Sequence, residues 1–262
     1  MARVALLTGA TGAIGRAIAR GLGREPGVEL VLVVRDRARG ERLVGELAAE
    51  GLTARLEVAD LSRKAAVREL AERWEGPLHV LVNNAAVAPL AREETPEGIE
   101  RQLATNVLGY LWTTELLRPA LRLGARDAGE ARVVNVASYW AGDLALDDLE
   151  FRRRRYDNDS AYRQSKQANR MLTLVHADML APDQVSVNAC HPGDVNSTLS
   201  NALGFGGSES PEHGADTPVW LAVSADLRGV TGGYFERRAP ARCRFASDRA
   251  GIAELYQRCA GY

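Results

Sequence analysis

Val4-Ala5-Leu6-Leu7 runs directly into Thr8-Gly9-Ala10-Thr11-Gly12-Ala13-Ile14-Gly15. Four apolar residues in succession suit a strand buried on both faces, and the glycine-rich octet suits a tight turn. Ile14, Ala17, Ile18, Gly21 and Leu22 then fall on one face of a helix. Strand, turn and helix start together bring free backbone N–H groups to the positive end of a helix, where a pyrophosphate binds. The glycines stand at 9, 12 and 15, which is not the G-x-G-x-x-G dinucleotide fingerprint. A turn that only packs the first helix tightly on a sheet is the lesser alternative.

The same alternation continues outward. Glu29–Val34 ends at Arg35-Asp36, and Leu56 with Val58 leads to Ala59-Asp60-Leu61. Ser62 reads as the N-cap of a helix carrying Val67, Leu70, Ala71 and Trp74. Leu78–Val82 stops at Asn83-Asn84-Ala85-Ala86. Thr95-Pro96 has the signature of a helix start, and the long helix behind it carries Asn106 and breaks at Gly109. Further strands end at Ser138 and at Cys190-His191-Pro192-Gly193. Ser210-Pro211 opens another helix, Gly233–Phe235 is a last short strand, and Ile252, Leu255, Tyr256 and Cys259 mark a closing helix. Continuous apolar strands alternating with helices predict a Rossmann-like, doubly wound parallel α/β sheet of about seven strands, with helices on both faces. No linker or repeat divides residues 1–262, so a single domain is expected.

Composition excludes several classes. A net charge of −1 argues against nucleic acid or an anionic membrane as partner. No apolar stretch approaches the roughly 20 residues of a membrane span, and the N-terminus lacks a signal-peptide layout. Three cysteines without metal or disulfide spacing suit a reducing cytoplasm, and four scattered histidines suggest no metal site.

The chemistry points to Ser160–Leu180. Tyr162 and Lys166, four apart, lie about 40° apart around a helix and one turn along it. An ammonium beside a phenol favours the phenolate, so Lys166 is expected to lower the pKa of Tyr162 and make it an acid/base. A surface Tyr and Lys on an amphipathic helix is the alternative. Lys64 and Lys166 are the only lysines in a chain that otherwise uses arginine. This suggests that a compact point charge is needed at 166. Arg35 stands at a strand end, where it suits a ribose 2′-phosphate and hence NADP(H) over NAD(H); a solvated Arg35 paired with Asp36 is the alternative. Asp60, Asn83, Ser138 and Pro192-Gly193 each close a strand, on the edge of an open sheet where ligands bind.

Taken in order, Thr8-Gly9 with Gly15, Asp60, Asn83-Asn84-Ala85, Asn106, Ser138, Tyr162 with Lys166 and Pro192-Gly193 resemble the short-chain dehydrogenase/reductase superfamily over nearly the whole chain. Leu146–Tyr156 ahead of Ser160–Asn169, and Arg35-Asp36 with Gly40 and Glu41, resemble its retinol dehydrogenase-like and carbonyl reductase-like members. The resemblance implies an NADP(H)-dependent oxidoreductase. In it Tyr162 is the acid/base, and Lys166 tunes it and holds the nicotinamide ribose. Ser138 binds the substrate oxygen, and Asn106 supports a water-linked relay to Lys166. It further implies that Gly9, Thr11, Gly12 and Ile14 line the pyrophosphate, Asp60 and Leu61 the adenine, and Asn83 and Ala85 the adenosine ribose. Val195 and Ser197, after Pro192-Gly193, would hold the carboxamide, with Pro192 also at the cofactor. Ala13 and Ala86 stand where the family usually has glycine, and the Ser138–Tyr162 interval is long, with Arg152–Arg155 among acids as a solvated insertion.

The expected reaction interconverts a carbonyl and an alcohol on an apolar or polyfunctional small molecule. Tyr139, Trp140, Leu199, Leu203 and Phe205 lie near the mouth, and a substrate lid spans about 199–215. A homodimer, a homotetramer and a monomer remain open. Two alternatives stand beside this reading: an epimerase or dehydratase, for which the residues after Val195 look too few, and a non-catalytic NADP(H)-sensing protein.

Overall fold

The computed structural model describes residues 2–262. Eight strands form one sheet in the order β3-β2-β1-β4-β5-β6-β7-β8. They are β1 Arg3–Thr8, β2 Val28–Val34, β3 Ala54–Val58, β4 Val80–Asn83, β5 Ala131–Val136, β6 Val185–His191, β7 Tyr234–Glu236 and β8 Ala239–Ala241. All neighbours run parallel except β7 and β8. The helices are α1 Ala13–Gly23, α2 Arg37–Ala49, α3 Lys64–Glu72, α4 Gly109–Leu116, α5 Arg118–Ala128, α6 Asn158–Leu180, α7 Thr198–Ala202, α8 Pro211–Val223 and α9 Arg249–Ala260.

Period-two alternation along the strands splits the core in two. Ala5, Leu7, Val80 and Val82 face a layer made by α1, α2 and α8. Leu6, Leu81 and Val133 face a layer made by α3, α4, α5, α6 and α9. The expected doubly wound sheet is therefore present, with one strand more than the sequence suggested. The extra strand, β8, returns through Arg237-Arg238, both at positive φ. Such a turn normally announces itself with Asn or Gly, and two arginines gave no sign of it. Pro240 sits at the centre of β8.

Three local expectations need correction. Ser62 is not a cap: α3 starts at Lys64 behind Arg63, and the Ser62 N–H and hydroxyl both donate to Asp60 Oδ1 (3.1 and 2.7 Å). Thr95-Pro96 does not open a helix. Thr95 O accepts from Gly98 N (2.9 Å) and Thr95 N donates to Ile99 O (2.8 Å), closing a turn that Gly98 takes at φ +76°. Helical winding begins at Arg101. The long helix does not break at Gly109 but at Leu117, where Pro119 in the first turn of α5 lacks an N–H to continue the ladder. Gly109 instead lets α4 approach the connection between β3 and α3, since a methyl there would lie 2.8 Å from the Leu61 carbonyl oxygen. Before it, Leu103–Leu108 winds as a π-helix, a form frequent at functional sites.

The arginine-rich insertion is folded rather than loose. Asp148, buried, accepts main-chain N–H bonds from Arg152 (2.8 Å), Arg153 (3.3 Å) and Arg154 (3.1 Å). Burial pushes its pKa up, but the three N–H bonds outweigh this and hold the carboxyl below its ordinary range. Among the described residues no helix is long and apolar enough to cross a membrane.

Glycine placement yields a stability test. A methyl on Gly124 of α5 would lie 2.1 Å from the Leu78 carbonyl oxygen, whereas one on exposed Gly45 of α2 meets nothing within 4 Å. In urea denaturation Gly124→Ala is expected to lose about 1–3 kcal/mol or more. Gly45→Ala should gain about 0.5–1 kcal/mol.

Candidate active site

The carboxyl ends of β1, β2, β4, β5 and β6 share one edge of the sheet, and the site grows from that edge. At its centre Gly9 takes φ +64°, and a Cβ there would lie 2.6 Å from Ala85 Cα. A Cβ on Gly15 would lie 2.2 Å from the Gly9 carbonyl oxygen. Only glycine lets the β1–α1 turn press this closely on the end of β4. The joint is hydrogen-bonded as well. Thr8 Oγ1 accepts from Asn84 N (2.9 Å) and Ala85 N (3.2 Å), and Asn84 Nδ2 donates to Thr8 O (3.0 Å) and Gly9 O (3.2 Å). Neither Thr8 nor Asn84 was singled out as a site residue from sequence, although both sit in the quoted motifs.

Gly12 is the N-cap of α1 and supplies no side-chain acceptor, and the first turn holds no acid. Its N–H groups thus lack a side-chain partner at the positive end of the helix, beside partly exposed Thr11 and Ile14. A phosphate fits this cradle. At the end of β2, Arg35 is exposed and makes no ion pair among the described residues. Asp36 does not pair with it; its carboxylate caps α2 by accepting from Arg39 N (3.0 Å).

Other predicted contacts point inward. Leu61 is buried in the core, so only its main chain faces the edge. Asn83 is fully buried, donating from Nδ2 to Thr114 Oγ1 (3.1 Å) and Asn135 Oδ1 (3.0 Å); it braces the sheet beneath the site. Asp60 holds Ser62 through one carboxylate oxygen, and the other has no protein hydrogen bond. Val195 is buried, and Ser197 caps α7 in a reciprocal capping box with Ser200. Gly193, at φ +109°, admits the Glu209 carboxylate, which accepts from Asp194 N (2.6 Å). A polar cavity of about 290 Å³ opens here, lined by Tyr139, His191, Pro192, Glu209, His213 and Glu236. His191, Glu209 and His213 were not expected from sequence, because Glu209 reaches the Pro192-Gly193 turn only through the folded loop.

Ser138, Tyr162 and Lys166 are buried together. Ser138 Oγ accepts from Trp140 N (3.0 Å), which leaves its hydroxyl hydrogen free for another acceptor. Burial raises the Tyr162 pKa above its ordinary value; the Ser138 hydroxyl offsets part of this, and Asp159 adds to it. Burial dominates, so the net shift runs opposite to the lowering expected of Lys166. Its Nζ is 5.5 Å from the Tyr162 ring centroid and donates instead to Val136 O (2.9 Å). Burial also pulls the lysine down to about 7, which weakens its field on the phenol. Asn106 lies in the π-helical turn with its amide engaged by Val87 N (2.9 Å), Val87 O (3.0 Å), Gln102 (3.3 Å) and Ser165 (3.2 Å). Its side chain makes no direct hydrogen bond to Lys166 among the described residues.

Comparison with known proteins agrees with this fold. Residues 3–204 match the family model described as short chain dehydrogenase. The chain is 39% identical to a "Probable oxidoreductase" of Streptomyces antibioticus, covering 92% of this chain and 86% of that protein. It is 38% identical to polyprenol dehydrogenase of Mus musculus, over 91% of this chain and 77% of that one. Among solved structures, the NADP active-site complex of Pseudomonas aeruginosa RhlG superposes with a TM-score of 0.70 at 28% identity, covering 89% of this chain and 93% of that chain. With its eight-stranded, glycine-hinged sheet and a matched span of more than half its length, this chain belongs to the short-chain dehydrogenase/reductase family of nicotinamide-dependent oxidoreductases.

Proposed function

We propose that this enzyme interconverts a carbonyl and an alcohol on an apolar or polyfunctional small molecule, using NADP(H), with Tyr162 as the acid/base. The observation that carries the reading is the burial of the Tyr162 phenol beside the Ser138 hydroxyl, on the same sheet edge as the uncapped start of α1. NADP(H), when bound, supplies the hydride equivalent. Gly9, Gly12 and Ile14 would hold its pyrophosphate, and Arg35 the 2′-phosphate, its planar fork matching phosphate oxygens. Asp60, the Leu61 main chain and Ala85 would flank the adenosine, and Pro192, Val195 and the Ser197 main chain the carboxamide.

In the reducing direction Ser138 and Tyr162 orient the carbonyl oxygen by hydrogen bonds that strengthen as negative charge grows there. The raised pKa keeps Tyr162 a neutral phenol near neutral pH, so it holds a proton to give to that oxygen. Lys166 stands behind it as the buried positive charge that stabilises the phenolate left behind. The lid of this reading is residues 199–215. Phe205 rests on Trp140 with ring centroids 4.9 Å apart, and Asn158 Nδ2 holds Ala202 O at 2.9 Å. Gly204, Gly206 and Gly207 all take positive φ between them and α8. These are the contacts such a lid would break on opening.

With a panel of ketones and aldehydes, Tyr162→Phe is expected to lower kcat by about 10²–10⁴-fold. NADPH binding, followed by nicotinamide fluorescence, should stay near wild type; lost binding with normal residual chemistry would refute the assignment. Arg35→Ala should raise the KM for NADPH by about tenfold to a hundredfold and leave that for NADH nearly unchanged. An equal change with both cofactors would remove the 2′-phosphate role.

A further inference from the structure

Tyr110 is a second buried phenol beside Lys166, and nothing in the reaction above uses it. It lies on α4, one turn beyond Asn106, and is 3% exposed. Its hydroxyl donates to Val136 O (3.3 Å), the carbonyl that also receives Lys166 Nζ (2.9 Å). The ammonium is 5.5 Å from the Tyr110 ring centroid and 5.5 Å from that of Tyr162. Lys166 is thus clasped between two aromatic rings and one carbonyl, and it forms no ion pair among the described residues. The titratable groups facing it are Tyr110 from α4, Tyr162 on its own helix and Cys190 from β6.

A buried ammonium without a carboxylate must find its stabilisation elsewhere or lose its proton. Ring faces within about 6 Å supply it, and more strongly when desolvated. The shared carbonyl fixes where the ring stands, and the close approach of Gly109 to Leu61 O fixes the helix that carries it. The Asn106 side chain, clamped to Val87, leaves this task open.

We propose that Tyr110 is a positioning residue: its ring, anchored by the hydroxyl bond to Val136, keeps Lys166 charged and at the height of Tyr162. The inference rests on the Tyr162–Lys166 reading of the reaction but makes a claim that is testable without it. Burial pulls Lys166 down to about 7, so loss of a stabilising ring shifts its charge within the neutral range. The sign is fixed: the ring favours the ammonium, so removing it lowers the lysine pKa further.

Because Lys64 and Lys166 are the only lysines, full-length protein labelled with ¹³C-lysine gives two Cε resonances. Their titration is followed by NMR in the absence of cofactor. Tyr110→Leu is expected to move the Lys166 midpoint down by about one pH unit. Tyr110→Phe, which keeps the ring, should restore it to within about half a unit. Tyr110→Met replaces the Leu variant should that fail to fold. In turnover assays at neutral pH the Leu variant should lose about tenfold in kcat, with the carbonyl KM held within about twofold. An unchanged Lys166 midpoint on loss of the ring overturns the proposal, and so does an equal shift in the Phe variant. If Tyr162→Phe turns over like wild type, the reaction assignment fails on its own, while the lysine titration still decides the role of Tyr110.

Discussion

A buried amide N–H must find an acceptor, and in this molecule one run of such donations ties together two of the helices and two of the strands that carry the site. Thr114 on α4 accepts from Asn83 on β4, Asn83 donates to Asn135 on β5, and Asn135 donates to Thr173 on α6 (2.9 Å), whose hydroxyl returns to Asn169 O (2.7 Å). Leaving either amide donor unpaired would cost about 1–3 kcal/mol. The run stays on one face of the sheet, spans β4 and β5, and joins the helix of Tyr110 to the helix of Tyr162 and Lys166. Side chains on those two helices therefore keep a fixed spacing however the surface loops move.

Around that brace, charge is handled by two different devices. The insertion at 146–156 folds about a carboxylate that collects main-chain N–H groups, and Arg154 adds its guanidinium 4.0 Å above the Phe151 ring. Lys166 has no such acid partner and relies on rings and a carbonyl. The first arrangement holds its charge firmly, and the second leaves it close to the balance point. That contrast suits a structural knob in one case and a working group in the other.

Much of the fold was legible because strands buried on both faces leave continuous apolar runs, and each ended in the polar residue that marks the sheet edge. Tyr162, Lys166 and Ser138 could be placed together for the same reason. What escaped depended on contacts distant in sequence. Thr95 looked like a cap until its backbone closed a turn with Gly98 and Ile99. Ser62 looked like another until Asp60 took its hydroxyl. The Arg237-Arg238 hairpin lacked any glycine to betray it. The upward shift at Tyr162 was not foreseen because helical spacing gives the angle between two side chains but not how deeply the fold buries them. Glu209, brought to Gly193 from sixteen residues further on, belongs to the same class of contact.

The end of the sheet has a consequence for the molecule's sociability. An unpaired border strand exposes donors and acceptors onto which a foreign chain can stitch itself. On the β8 side that border is three residues long and has Pro240, which offers no hydrogen to a newcomer, at its middle. The ribbon of strands is thereby closed to growth by lateral addition on this side, even though its companion β7 is too short to have sheltered it.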